Sequence, residues 1–498
     1  MADAGSVTQS QEFDDEYDVV VVGYGYGGGI TAIEAHDAGA KVLLIDKMKH
    51  PGGISVCSYG AMRSAHNADE AFKYLEATNG GRTPSAVNRA LANGMAKIEP
   101  YMRKLVEANG GIVTPREKIA NYPFEGYETF YQTLIEEIPN FDPDNHYPHV
   151  RGAPGGAKVF KTLEDNVALR KIDIWLESPA ETLIVNPDGS REVRGVVVRR
   201  PDGVHRVKAS KAVVLCCGGF EANAQMRAQY LGAPWDHAKV RGSAHNQGDG
   251  LRMALAIGAL PWGQWSGKHS TPISNEWPDF ADRERTDRSN RLSYPYSVTI
   301  NRDGKRFLDE GEDVGLYTYA KYGGQILREP GSLSWQIFDQ QTVHLLEPRY
   351  NTSDPISADT LAELVEQLDV DDKPQALRTL EAYNAAAPSR GANDGFDPTQ
   401  KDGLSTSGLS PEKTNWATRL DQPPFLAYSA TGGITFTFGA LKIDEDARVI
   451  GTDWRPIKGL FACGEMVGGL FHFNYPGGTG LVSGAVFGKI AGATAAKG

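Results

Sequence analysis

Cysteine is scarce: four residues, Cys57, Cys216, Cys217 and Cys463, stand in 498, and none forms a C-x-x-C pair. That excludes a disulfide frame and a cysteine-built zinc site, so the thiols read as reduced and buried in a cytoplasmic protein, and no metal is expected. No run of about 18 apolar residues occurs, so no membrane-spanning helix is expected. The first sixteen residues have neither a basic n-region nor an apolar h-region, and residues 1–16 read as a disordered tail rather than a secretory signal. Positive charge is not in surplus: 51 Lys+Arg against 63 Asp+Glu give a net charge of -12. That balance suits neither non-specific nucleic-acid binding nor an anionic membrane surface, and it leaves a locally basic pocket possible. There is no internal repeat, no G-X-Y period and no C-x-x-C-H haem motif.

What the chain has in excess is glycine, 56 residues, against a usual share of about 7%. These glycines cluster. Tyr17 to Val22 is a short β-branched run of the kind that forms a buried parallel strand. Gly23, Gly25 and Gly28 follow at once in G-x-G-x-x-G spacing, together with Tyr26 and Gly27. Then come a small-residue helical stretch, a second apolar strand from Lys41, and Asp46 followed by Lys47. Glycines at these positions permit a tight turn, close backbone approach to a pyrophosphate, and close helix–strand packing. The helix N-terminus offers amides to the phosphates, and Asp46 is placed to accept hydrogen bonds from a ribose. The strand–turn–helix–strand context makes this a dinucleotide site. A second nucleotide-like segment closes the chain: an apolar strand from Gly459 ends in Gly464-Glu465, and Pro476 to Leu481 leads into a small-residue helix. A cofactor touched by both ends of the chain suits extended FAD better than NAD.

Further strands are expected across 181–215, with turns at Asn186 to Gly189 and at Pro201 to Gly203. The last strand, from Lys211, is closed by Gly218-Gly219. Residues 68–140 alternate helical patterns with polar loops, and 359–386 reads as an amphipathic helix interrupted near Pro374. From about 269 aromatic and proline-rich loops appear, with a mixed charge run from Asp279 to Arg291 that reads as a solvated face. The glycine-rich apolar style returns at about 432. The expected class is α/β, with one domain inserted into another.

Five segments together resemble the fumarate reductase/succinate dehydrogenase flavoprotein family: Val21 to Gly28, Gly52 to Ser55, Val213 to Phe220, Gly304 to Glu310, and Gly459 to Gly484. The resemblance covers nearly the whole chain. It implies a Rossmann-like FAD-binding domain of the GR2 type, built from 17–268 and 432–498, with an inserted α+β capping domain at 269–431. Gly52, Gly53 and Ser55 would then lie along the cofactor, with Gly218 and Gly219 behind it. Glu465 would bind its ribose or ribityl part, and Gly480, Leu481 and Val482 would offer backbone amides to the flavin pyrimidine. No histidine lies between Gly52 and Met62, so dissociable, non-covalent FAD is expected.

The reaction is a separate matter. Three substrate-site cations of fumarate reductases are missing, and Tyr475 stands where one of them would be. Tyr475 before Pro-Gly-Gly, with Tyr317 to Tyr322, resembles the branch containing 3-ketosteroid dehydrogenases and tricarballylate dehydrogenase. That branch implies α,β-dehydrogenation beside a ketone or carboxylate, with α-proton abstraction and hydride transfer to flavin N5. Tyr475 is the expected donor to the carbonyl oxygen, aided by backbone amides near Gly477 and Gly478. Tyr319 is the expected base or relay, and its ordinary pKa near 10 requires a cation or a partner such as Lys321 or Tyr322. His269 would hold a carboxylate or shuttle a proton. Tyr296 lies in an aromatic segment expected to line the substrate pocket, and His472 is a weaker candidate. Arg302 and Arg306 could pair with substrate, although Arg306 reads as structural. Two other readings remain: an enoate or fumarate-type reductase running the reverse reaction through an external electron carrier, and a non-catalytic flavin-binding protein. The small-molecule substrate, the electron acceptor and the oligomeric state are not fixed by the sequence.

Overall fold

The computed structural model describes residues 12–498, apart from 118, 120, 148–153, 281–285, 390–396 and 398–399. The opening strand, Asp15–Val22, lies between Val42–Ile45 and Gly203–Leu215, parallel to both. It begins two residues inside the stretch expected to be a tail; residues 1–11 of that stretch lie outside the described residues. Pro456–Ala462 extends the same sheet parallel to Gly203–Leu215. The valines at 19–22 are all buried, so both faces of the strand are covered, which is why the run is uniformly apolar rather than alternating. The expected turns at 186–189 and 201–203 join the antiparallel strands Ala180–Val185, Val193–Arg200 and Gly203–Leu215.

Two helices set the depth of the sheet's upper edge. Tyr26–Asp37 packs along Thr479–Ala495, the helix that closes the chain. Their contact is made of small residues: a Cβ at Gly492 would stand 2.5 Å from Thr31 O, and one at Gly488 would stand 2.8 Å from Gly27 O. Two helices at this separation bring both nucleotide-like segments to the same end of the sheet.

Within 68–140 the structure departs from the expected helices and loops. Helices Ala68–Asn79, Ser85–Met95 and Ile98–Val106 are followed by strands Ile112–Arg116 and Phe130–Glu137, and the latter pairs on one side with Ile112–Arg116 and on the other with Met62–Ala65. Phe130–Glu137 does alternate buried and half-buried positions from Tyr131 to Ile135. Its partner carries Pro115 and a register shift, which hid the pair from a periodicity reading.

A second sheet forms the cap. Its central strand, Phe425–Ile434, pairs antiparallel with Leu333–Phe338, which pairs in turn with Val298–Asn301. Lys239–Val240 joins the central strand in parallel, so this sheet draws on residues before 269 and runs past 431. Leu361–Gln367 and Lys373–Ala386, the interrupted helical pattern, cover one face over a core of Ile300, Trp335, Leu364, Leu380 and Tyr383. Arg306 is buried in an ion pair with Glu310, whose Oε1 also accepts from Thr299 N at 2.7 Å, so Arg306 is structural. Arg302 is engaged with Asp369 and Asp371 at the surface. No helix among the described residues is long and apolar enough to cross a membrane.

The small-residue contact yields a stability prediction. Gly492→Val would push a branched side chain into Thr31 O and should destabilise the fold by about 1–3 kcal/mol, read as a lower urea midpoint. An unchanged midpoint would show that the two helices do not need this separation.

Candidate active site

A cleft runs along the carboxyl ends of the parallel strands, walled by residues of both glycine-rich segments. One end begins at the fingerprint turn. Gly23 has φ +103°, and a Cβ there would stand 2.4 Å from Cys216 O, so the turn is folded onto the neighbouring strand's exit. A Cβ on Gly28 would lie 1.8 Å from Gly23 O, which accounts for the third glycine as helix–strand packing. Gly23, Gly25 and Gly27 line the cleft, as do Asp46 and Lys47. Asp46 accepts from Tyr24 N and Met48 N, each at 2.8 Å, and a carboxylate still has lone pairs to offer a hydroxyl. Lys47 meets Asp249 at 2.6 Å. Tyr26 forms part of the wall, but its hydroxyl is turned away, towards Met62 and Met102 sulfur.

The wall continues through Gly53, Ser55 and Gly218 to Gly464, Glu465, Gly480 and Leu481. Four expected cofactor residues stand behind it instead. Gly28 and Gly52 pack against Gly23 and Val56. Val482 is fully buried in the closing helix. Gly219 lies under Glu465, where a Cβ would meet Oε1 at 2.2 Å, so its lack of a side chain makes room for that carboxylate.

The cleft fits the long polar ligand that the two glycine-rich segments imply. Nothing within 4 Å would obstruct a Cβ at Gly464, so backbone faces open space there, and Glu465 Oε2 is buried without a donor among the described residues.

At the cap end, four polar side chains converge. His269 sits on a two-residue strand paired with Phe436–Thr437, and Arg241 follows Lys239–Val240, its N–H bonded to Ile434 O at 2.9 Å. Tyr319 is carried by Gly315–Ile326, and this helix is tied to the His269 strand by Ser270 N donating to Ala320 O at 3.0 Å. Tyr475 is fixed by Gly480 N–H, which donates to its hydroxyl at 3.1 Å. The ring of His269 lies edge-on to Tyr319 at 4.9 Å and to Tyr475 at 4.6 Å. Tyr475 and Arg241 line the cleft, and His269 and Tyr319 form the layer beside them. A Cβ at Gly477 would come within 3.4 Å of the Tyr319 hydroxyl, so that loop borders the same space. Arg63, which is buried, donates to Gly477 O at 2.9 Å and to Asn121 Oδ1, and so holds the loop. Gly478 lies against Ala61 O and Arg63 N.

Three expectations are corrected. Tyr296 packs beside Phe338, Tyr350 and Tyr428 in the cap and does not reach the cleft. Lys321 and Tyr322 do not support Tyr319: both are engaged with Glu312, and Tyr322 also with Asp309 O. His472 lies off the cleft, edge-on to Phe473. The cations at this site are Arg241 and Arg63, which sequence reasoning passed over. Arg63 sits in an unremarkable Met-Arg-Ser strand. Arg241 carried a faint signal, a lone arginine between Val240 and Gly242 just before the Gln-Gly-Asp-Gly helix start.

Electrostatically, the site keeps its phenols and imidazole neutral. Burial raises the Tyr319 pKa, neighbouring Tyr475 and Tyr122 add to this, and Arg241 and Arg63 oppose it. Tyr475 is raised for the same first reason, against the Gly480 N–H and the two arginines. Burial, then the Arg241 charge, depresses His269 well below its usual value, and its Nδ1 has no partner among the described residues. Arg241 makes no side-chain hydrogen bond or ion pair among the described residues, and the nearby Asp287 is taken by Arg349.

A family model described as FAD binding domain matches residues 18–482. The chain belongs to this family of FAD-binding flavoproteins, and it is a FAD-dependent oxidoreductase. It is similar to a probable fumarate reductase of Shewanella frigidimarina, with 28% identity across 96% of this chain and 74% of that protein. It is equally similar, at 28% identity across 96% of both, to a 3-oxosteroid 1-dehydrogenase of Mycolicibacterium smegmatis. Its fold matches the crystal structure of 3-ketosteroid delta1-dehydrogenase from Sterolibacterium denitrificans, with a TM-score of 0.76 and 24% identity over 97% of this chain and all of that one.

A stability prediction follows from the depressed imidazole. Its contribution is fully present above the unfolded value of about 6.5 and is lost as pH falls below it, because the unfolded state binds the proton more readily. His269→Gln should therefore lose less melting temperature between pH 7 and pH 5 than the wild type. Parallel curves would show that His269 is not the buried, neutral group described.

Proposed function

We propose that the enzyme forms a C=C bond beside a ketone or carboxylate. The observation that carries this reading is Arg241, a cation without a counter-ion among the described residues, facing the same end of the cleft as Tyr475. Removing a proton α to a carbonyl places negative charge on the carbonyl oxygen, and fixed donors aimed at that oxygen are the main means of lowering the barrier. Tyr475 and Arg241 are the donors, and Arg63 keeps the Gly477 loop against them. Tyr319 accepts the α-proton as the phenolate: burial keeps the phenol protonated at rest, so it must first release its own proton to solvent, and the Arg241 and Arg63 charges favour that ionised form. His269 holds the two tyrosine rings apart and, being neutral, can accept a hydrogen bond without competing for the anion. The turn from Gly23 to Gly27, Asp46, Ser55, Gly464 and Glu465 hold dissociable FAD. When bound, the flavin supplies the acceptor for the hydrogen that leaves with its electron pair. The cap over this end excludes water and contributes Tyr319. The names of the two similar proteins quoted above, one a reductase of fumarate and one a dehydrogenase of 3-oxosteroids, support C=C chemistry next to an oxygen-bearing carbon.

Anaerobic addition of saturated steroids, cyclic ketones and polycarboxylates to the yellow enzyme tests this directly: at least one class should bleach the flavin. If none bleaches it but an unsaturated carbonyl compound re-oxidises the reduced flavin, the reaction runs in reverse. If neither happens, the reading is wrong. With a bleaching substrate in hand, Tyr475→Phe should lower kcat by about 10²–10³-fold while keeping bound FAD. Arg241→Met should lower kcat/KM by about 10–100-fold. For Tyr319 the raised pKa sets the sign: kcat/KM should climb with pH through the alkaline range, and Tyr319→Phe should abolish that limb.

A further inference from the structure

Two buried carboxylates meet beneath the cofactor cleft, and only one of them belongs to its wall. Glu465 follows the strand Pro456–Ala462, and Glu221 lies just past the end of Gly203–Leu215. Those strands are parallel neighbours, so their exits deliver the two side chains to one spot. Glu221 is fully buried and Glu465 is 7% exposed. Glu465 Oε1 accepts from Thr437 N at 2.7 Å and from Thr437 Oγ1 at 2.9 Å. Glu221 Oε1 accepts from Asn246 Nδ2 at 2.6 Å. The Oε2 atoms of both are buried without a donor among the described residues, and the two carboxyl groups lie close enough to act on each other.

Like charges that close, out of water, cannot both persist, so one proton must lie between them. Among the described residues no cation forms an ion pair with either carboxylate. Arg227 is the cation that senses Glu221, and its guanidinium is spent on the carbonyls of Trp235, Glu221, Asp236 and Ala238. Tyr475 faces Glu465 from the loop side, and Cys463 precedes Glu465 on the strand exit. Asn246 and Thr437 do not titrate.

We propose that Glu221 is a positioning residue that stays protonated at neutral pH and donates its proton to Glu465 Oε2. The pair then carries a single negative charge, with Glu465 Oε1 and its Thr437 bonds fixed towards the cleft. Burial raises both groups above ordinary carboxylates, Glu465 to about 7; the neighbouring carboxylate raises Glu221 further, whereas the contact with Glu221 lowers Glu465, in line with this arrangement. Loss of the shared proton at alkaline pH would put a second charge beside the bound dinucleotide and weaken its binding. A glutamine at 221 reproduces the protonated form: its oxygen can accept from Asn246 and its NH₂ can donate to Glu465.

Two readouts test this without turnover. In the infrared spectrum of the FAD-loaded protein at neutral pH, a protonated-carboxyl C=O band should be present, and it should vanish in Glu221→Gln. The FAD dissociation constant of the wild type, measured by flavin fluorescence, should rise by about tenfold for each pKa unit by which binding favours the protonated pair as pH is raised from 7 to 10. Glu221→Gln should match the wild type at pH 7 and show no such rise, and Tyr475→Phe and Cys463→Ala should keep it. Retention of the infrared band or of the alkaline loss of affinity in Glu221→Gln would overturn the proposal. So would disappearance of that loss in Tyr475→Phe or Cys463→Ala, which would assign the proton to the phenol or the thiol. Weak FAD binding by folded Glu221→Gln at pH 7 would also overturn it, since the amide preserves shape and donor.

Discussion

The molecule depends on one close approach of backbone to backbone. Gly28 lies so near Gly23 O that no side chain fits between the first helix and the first strand. With the helix that deep, its N-terminus opens directly onto the ends of the parallel strands. The closing helix follows the same rule from the other side, its glycines resting on Gly27 O and Thr31 O. Two segments more than 400 residues apart in sequence therefore border one cleft. The strand exits at Cys216 to Gly218 and at Cys463 to Glu465 complete its floor, and that adjacency also brings two carboxylates together under the cofactor path.

The cap adds chemistry to a site the sheet has already shaped. A helix from the inserted segment brings Tyr319, and a short strand beside the central cap strand brings Arg241. The His269 strand is bonded to both the cap helix and Phe436–Thr437. The result is a neutral, aromatic-rich space with Arg241 uncompensated on one side and Arg63 behind the loop on the other. Burial suppresses ionisation of the phenols and the imidazole alike, so the arginines are the groups that carry charge here. Such a site is selective for the moment at which negative charge forms on a bound oxygen.

How much of this was legible in the sequence depended on whether the signal was local. The fingerprint turn, the hairpins at 186–189 and 201–203, and the interrupted helix in the cap all rest on spacing within a few residues, and they appear where expected. Tyr319, Tyr475 and His269 were placed together only through resemblance of short motifs, and the structure brings them into contact. Arg241 was not found, because nothing near it in the chain marks a strand of two residues that finds its partner at Gly433 and Ile434. Lys321 and Tyr322 were expected to assist Tyr319 because they are close in sequence. Lys321, two residues on, points to another face of the helix, and the Tyr322 hydroxyl is taken by Asp309 O and Glu312. Tyr296 fell short for a similar reason: aromatic composition marks a core as readily as a pocket.

The central claim is that Tyr475 and Arg241 receive the oxygen beside which the double bond forms. Its most direct test is a crystal structure of the oxidised, FAD-loaded enzyme holding the unsaturated form of whichever ketone or carboxylate bleaches the flavin. The account predicts that the ligand's carbonyl or carboxylate oxygen lies within hydrogen-bonding distance of the Tyr475 hydroxyl or the Arg241 guanidinium, with the Tyr319 hydroxyl near the α-carbon. An oxygen engaged by neither residue, or a ligand bound away from this end of the cleft, would contradict it.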